Sequence, residues 1–276
     1  KGAYIYNGSN YTQVGRKQPL INNWIHSITQ DKDLNIWIAT GNGISKLTAT
    51  NYSELKFTIQ NFRENDGLPD ERINTLAEDN ENRMWFGAEN GHIGYIQNGQ
   101  ITNYGIKDVI KKSDIKSIAF DRHNQLWAAT DGEGLFQADL KSNFITFHQI
   151  KKKDGINGNN TYLLQFDKLD HLWLGAGGGV DRISFTNLGE ILDIKHFGPN
   201  EGFSGGETTT NSISVSKNGD LWIGTLKGLN RHTPTLPKIN TIAPKLSMSD
   251  ITLFYESITE NVNDWYKVNT TLNFDY

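Results

Sequence analysis

The chain has 276 residues, 36% of them hydrophobic and 11% aromatic, with a formal net charge of −4, 27 glycines, six prolines and no cysteine. That length buries a full core without staples, and the absence of cysteine excludes both a disulfide framework and thiolate chemistry. A slightly acidic balance excludes bulk phosphate-backbone binding, so no nucleic-acid partner is expected, and no stretch reaches the roughly 20 apolar residues of a membrane helix.

In chain order, Lys1 to Gly15 predicts two short strands around an Asn7-Gly8-Ser9 turn, the second half of a repeat unit whose first half is absent. With no leader at Lys1, the chain is expected to be a processed or excised piece of a longer protein. From Trp24 a complete unit follows as WIHSITQ, NIWIAT, GISKL and LKFTIQNF, and the same four-strand plan returns three more times before a fifth copy breaks off. The copies align on Trp37, Trp85, Trp127, Trp173 and Trp222, spaced 42 to 49 residues apart. Four short strands at that period describe propeller blades. Six residues before the tryptophan stands Asp31, Asp79, Asp121, Asp167 or, in the last copy, Ser216, followed by a polar hairpin turn. The tryptophan strand is apolar on both faces, which predicts a doubly buried strand with the tryptophan in the core. Two residues later Ala39, Gly87, Ala129, Gly175 and Gly224 are small, which lets a neighbouring backbone come close. Gly43, Gly91, Gly134, Gly179 and Gly228 then turn the chain into the next strand.

The fold class is therefore all-β: a β-propeller of four-stranded blades, about five to six of them present, followed by the start of a β-sandwich. The expected boundaries are a partial blade at 1–18, blades at 19–63, 64–106, 107–150, 151–198 and 199–232, a Pro-rich linker at 233–245 and the sandwich from 246 to 276. Loops 63–72, 107–116, 151–160 and 198–211 all fall on one rim in this plan, each leading into an innermost strand, and that rim is the expected binding face.

The unit best seen in SISVSKNGDLWIGTLKGLN (Ser212 to Asn230), with ENDGLPDERINTLAED (Glu64 to Asp79), resembles the two-component regulator propeller repeat. The stretch EGFSGGETTTNSI (Glu201 to Ile213), then the Pro-rich segment and ITLFYES, is similar to the last blade and exit of Bacteroidetes sensor kinases. The resemblance implies the periplasmic sensor region of a histidine kinase or hybrid two-component system, running into the Tyr-rich sandwich named Y_Y_Y. It also implies a ring usually of seven blades, an oligosaccharide ligand, a homodimeric parent, and attachment to the membrane only through parts outside this chain. Against that number, the N-terminal strands either follow upstream blades or complete the unfinished last one.

Among candidate chemistries, Asp31-Lys32-Asp33-Leu34-Asn35 imitates the start of a calcium loop but lacks the glycine at its sixth position and the glutamate at its twelfth, so a hairpin turn is expected. His123 and His171 lie in polar turns, no His pair has metal spacing, and no metal or cofactor is expected. Lys151-Lys152-Lys153 predicts a solvated loop edge. The rim acids Glu64, Asp66, Asp70, Glu201 and Glu207 could in principle supply a glycosidase pair, but no matched catalytic set of a propeller lyase or hydrolase stands out. The expectation is a non-catalytic ligand-sensing module, with a dimerisation scaffold as the alternative. Ligand contacts are expected from Trp24, Arg72, Asn74, Lys116, Tyr162, Glu207 and Asn211, which enter inner strands or lie in the loops before them.

Overall fold

The computed structural model describes residues 2–14, 20–51, 53–69, 72–104, 113–140, 146–234, 252–253 and 256–257. Four antiparallel four-stranded blades follow one another. Blade 1 is β3 (Ile25–Gln30), β4 (Ile36–Thr40), β5 (Gly43–Asn51) and β6 (Lys56–Phe62). Blade 2 is β7 (Ile73–Glu78), β8 (Met84–Ala88), β9 (Ile93–Gln97) and β10 (Gln100–Asn103). Blade 3 is β11 (Ile115–Phe120), β12 (Leu126–Thr130), β13 (Gly134–Asp139) and β14 (Thr146–Ile150). Blade 4 is β15 (Thr161–Phe166), β16 (Leu172–Ala176), β17 (Gly179–Phe185) and β18 (Ile191–Phe197). The fifth blade has three described strands: β19 (Thr208–Val215), β20 (Leu221–Thr225) and β21 (Gly228–His232). The innermost strands β3, β7, β11, β15 and β19 are neighbours in sequence order around the axis.

The core lies in the seams between blades. Trp37, Ile44 and Phe62 of blade 1 pack on Ile73, Met84, Phe86 and Ile96 of blade 2, and the plan recurs at each later seam. Burying one such tryptophan is worth several kcal/mol, about 3–5 by the cost of cutting it to alanine. The doubly buried strand is found as expected in β4, β8, β12 and β16. The fifth copy departs from it: Trp222 is 37% exposed, because no further described blade covers that face. The small position also behaves as expected. A Cβ on Gly87 would stand 2.5 Å from Ile115 Cγ2, so the next blade's inner strand approaches the bare backbone.

The N-terminal hairpin, β1 (Ala3–Tyr6) and β2 (Tyr11–Val14), forms a sheet of its own and does not join blade 5. Ala3 and Val14 pack with Leu20 on Ile38 and Leu47 of blade 1. They pair with each other as Ile44 pairs with Phe62, so the hairpin stands to blade 1 as β5 and β6 stand to blade 2. Of the two alternatives for these strands, completion of the last blade is thereby excluded.

Asp31 does more than start a turn. Its carboxylate accepts Asn35 N at 2.7 Å and Trp37 Nε1 at 2.7 Å. Asp79, Asp121 and Asp167 hold Trp85, Trp127 and Trp173 in the same way, whereas Ser216 leaves the pattern. The same aspartate thus closes the hairpin and fixes the buried indole.

Three of the interblade loops also repeat one local structure. Short 3-10 turns at Glu64–Asp66, Lys152–Asp154 and Pro199–Glu201 each end on a left-handed glycine, Gly67, Gly155 or Gly202. Asp66, Asp154 and Glu201 bond back to the amides of Arg63, Lys151 and Gly198. One residue past each glycine, Leu68, Ile156 or Phe203 is buried in the seam, and Leu20 holds the corresponding place after β2. Lys151 ion-pairs with Glu133 at 2.8 Å, so one of the three loop lysines is engaged.

The chain divides after Pro234. In the second unit, Thr252–Leu253 (β22) and Glu256–Ser257 (β23) pair antiparallel. The expected sandwich strands otherwise lie outside the described residues, as does the linker beyond Pro234.

Candidate functional site at the inner-strand rim

Immediately before each inner strand the chain crosses the rim at one register, occupied by Trp24, Arg72, Asp114, Asn160 and Glu207. The backbone there is nearly uniform: the carbonyls of Trp24, Arg72, Asp114 and Glu207 accept the amides of Gly41, Glu89, Asp131 and Leu226. One frame thus presents five unlike side chains.

Each inner strand is then bulged, between Ile25 and Ser27, Ile73 and Thr75, Ile115 and Ser117, and Thr161 and Leu163. A bulge takes one residue out of the ladder and re-aims its side chain. The re-aimed residues are His26, Asn74, Lys116 and Tyr162. In β19 the irregularity is longer, running from Thr208 to Ile213, and includes Asn211 in the left-handed conformation at φ 55°.

Trp24 is 62% exposed, and the Arg72 guanidinium lies 4.7 Å from its ring centroid while Arg72 also reaches Glu89 at 3.2 Å. His26 sits 5.5 Å from the same indole and has a buried Nε2 without a hydrogen-bond partner. Burial first, then the positive charges of Arg72 and Lys116, push the His26 imidazole below its ordinary range and keep it neutral. Lys116 is held by Asp114 at 2.9 Å and Asp131 at 3.3 Å. Burial opposes its charge, but hydrogen bonds and attraction from these two acids prevail and raise its pKa, so it stays protonated. On blades 4 and 5, burial and a hydrogen bond to Glu207 push the Tyr162 phenol upward.

The seven expected contact residues therefore divide. Trp24, Arg72, Lys116, Tyr162 and Glu207 stand on the rim, either just before an inner strand or at its bulge, in the local pairs Trp24–Arg72 and Tyr162–Glu207. Asn74 and Asn211 instead bond the protein's own backbone: Asn74 Nδ2 donates to Ile115 O at 3.0 Å, and Asn211 Nδ2 donates across the axis to Asn74 O at 2.8 Å. His26, Glu89, Asp114, Asp131 and Asn160 join the rim without having been singled out from sequence. A signal for His26 existed: like Asn74, Lys116 and Tyr162, it stands eleven residues before its blade's motif tryptophan. Among the described residues no cluster of three His, Asp or Glu side chains is arranged to hold a metal ion, and no helix is long and apolar enough to cross a membrane. Chemically, the rim offers paired donors and acceptors of both signs beside an exposed indole.

Comparison with known proteins places this geometry. Residues 19–42 and 67–90 match the family described as two component regulator propeller. A curated relative, histidine kinase P4 of Formosa agariphila, is 25% identical over 254 residues, which cover 88% of this chain and 18% of the relative. The extracellular domain of a putative hybrid two component system from B. thetaiotaomicron superposes with a TM-score of 0.69 at 21% identity, covering 84% of this chain and 31% of that one. A virginiamycin B lyase from Staphylococcus aureus superposes at 0.62 with 22% identity, covering 86% and 74%. The two structural likenesses show the fold. The family's repeat matches in blades 1 and 2, and the blades that follow continue it in phase, so the chain is similar to two component regulator propellers while spanning only a small part of its curated relative's length.

Proposed function

We propose that this chain is the ligand-sensing propeller of an extracytoplasmic two-component sensor, that it binds without catalysing, and that its ligand is carbohydrate-derived. The observation that carries the reading is the rim itself: a nearly uniform backbone in successive blades, with Trp24, Arg72, Asp114, Asn160 and Glu207 at one register. Architecture alone does not require such divergence. An exposed indole suits the C–H face of a sugar, and the flanking charged and amide groups suit its hydroxyls. The likeness to the extracellular domain of a hybrid two component system supports a periplasmic setting, and the reading takes the parent to be a homodimer. Signalling then follows from a difference in ligand affinity between two arrangements of the parent protein.

A thermal-shift screen against oligosaccharides tests this, since a true ligand stabilises the fold by mass action. Stabilisation by one glycan class supports the sensor. No shift with any glycan, together with melting that depends only on protein concentration, supports a dimerisation scaffold. The propeller lyase likeness favours one further reading, an enzyme using the rim acids; glycan turnover abolished by Glu207→Gln would establish it against the sensor.

A further inference from the structure

The blade underside supplies its own internal controls. The residue after each turn aspartate, or its backbone, clamps the next blade's turn. Lys32 Nζ reaches Asp79 O at 3.0 Å and Asn82 Oδ1 at 3.1 Å, Asn80 N reaches Asn124 Oδ1 at 2.8 Å, and Lys168 Nζ reaches Lys217 O. Between blades 3 and 4 the clamp differs. It is an ion pair, from Arg122 Nη1 to Asp170 Oδ2 at 3.2 Å, and Gly189 in the outer turn of blade 4 comes close to His123 and Gln125. A cleft of about 380 Å³ opens there, on the face opposite the rim.

Its apolar walls are Phe166, Phe185, Leu169 and Leu192, and the two leucines are exposed. Its polar groups are planar: Asn187, together with Arg122, which bonds both Asp170 and His123. Arg122 Nε donates to His123 Nε2 at 3.1 Å, which puts the imidazole proton on Nδ1. The remaining acids are engaged. Asp121 accepts His123 N, Gln125 N and Trp127 Nε1, and Asp167 accepts Leu169 N, His171 N and Trp173 Nε1. Arg122 and Asp170 neutralise each other, and the Asp121 carboxylate at the cleft's edge is already satisfied by three neutral donors. Apolar walls facing forked donors and acceptors match a ring with C–H faces and vicinal hydroxyls, and the volume lies within the ordinary range for small-molecule sites.

We propose that this underside cleft between blades 3 and 4 is a second binding site, separate from the rim, for a neutral polyhydroxylated ring. Pyranoses and cyclitols share that chemistry, and the probes separate them. The Arg122–Asp170 pair is exposed and contributes little to stability, so the ligand can recruit both groups at small cost.

The experiment is saturation-transfer NMR and titration of the whole chain with D-glucose, D-galactose, myo-inositol, D-glucuronate and phenol. The expected result is transfer to at least one of the three neutral polyols, and a response to hexoses alone or inositol alone assigns the source. Arg122→Ala should weaken that binding about tenfold, the usual loss for a charge-assisted hydrogen bond. With the rim's aromatic face removed by Trp24→Ala, so that the cleft is read by itself, polyol transfer should still be seen, and adding Asn187→Trp, which fills the cleft, should abolish it. The proposal is overturned if none of the polyols binds the Trp24→Ala chain, if phenol or glucuronate alone binds, or if polyol binding in the Trp24→Ala chain survives Asn187→Trp. Unchanged melting curves keep each variant interpretable.

Discussion

The Asp31 carboxylate takes hydrogen bonds from Asn35 and from the Trp37 indole inside a buried turn. Asp31→Ala leaves the indole N–H without an acceptor, and equilibrium urea unfolding should show a loss of about 2–3 kcal/mol. Burial alone would raise the Asp31 and Asp167 pKa values, but the bonds from Trp37 and Asn35, and from Trp173 and His171, outweigh it and hold both carboxyls low. Their contribution is fully present above the unfolded carboxylate pKa of about 3.9 and is lost as pH falls through the lower folded value. A urea series from pH 7 to pH 3 should therefore fall less steeply in Asp167→Asn than in the native chain. In the same turn Leu34 adopts φ 65°, where Asn82, Asn124 and Asp170 stand in later copies. A leucine there costs about 1–2 kcal/mol in backbone strain, so Leu34→Asn should raise stability by up to that amount, read as a higher denaturation midpoint.

At the scale of the blade, what could be read from the sequence was what repeats in phase. The tryptophans, the small residue after them and the polar turn predicted the strand order and the buried strand, because each is a packing requirement met once per blade. Trp222 fails it only because burial needs a neighbour as well as a pattern. The interblade turns were harder to read: their key atoms are a capping carboxylate and a left-handed glycine, and ENDGL, KKDGI and PNEGF share little beyond those. Asp154→Ala should cost about 1 kcal/mol by removing the bond to Lys151 N. Gly175→Ala should cost more, about 1–3 kcal/mol, since its Cβ would stand 2.5 Å from both Leu163 Cγ and Thr208 Oγ1. Thermal melts of the two variants should rank in that order.

Over the whole propeller, the rim was legible as a place and only partly as a set of residues. Register put Arg72, Lys116, Tyr162 and Glu207 on that rim, but it does not say which side chains the protein keeps for itself. Asn74 and Asn211 are spent on a bond between blades 5 and 2 that sequence separation conceals. Only folding brings the two residues together. The central claim is that the free part of this rim, above all Trp24 with its stacked Arg72, reads the ligand. The direct test is isothermal titration of the native chain, Trp24→Ala and Arg72→Ala with the glycan that stabilises the native protein most. The account predicts at least about tenfold weaker binding in each variant, the usual loss when a stacking face or a charge-assisted hydrogen bond is removed, with melting temperatures little changed. Equal affinity in all three proteins would contradict it.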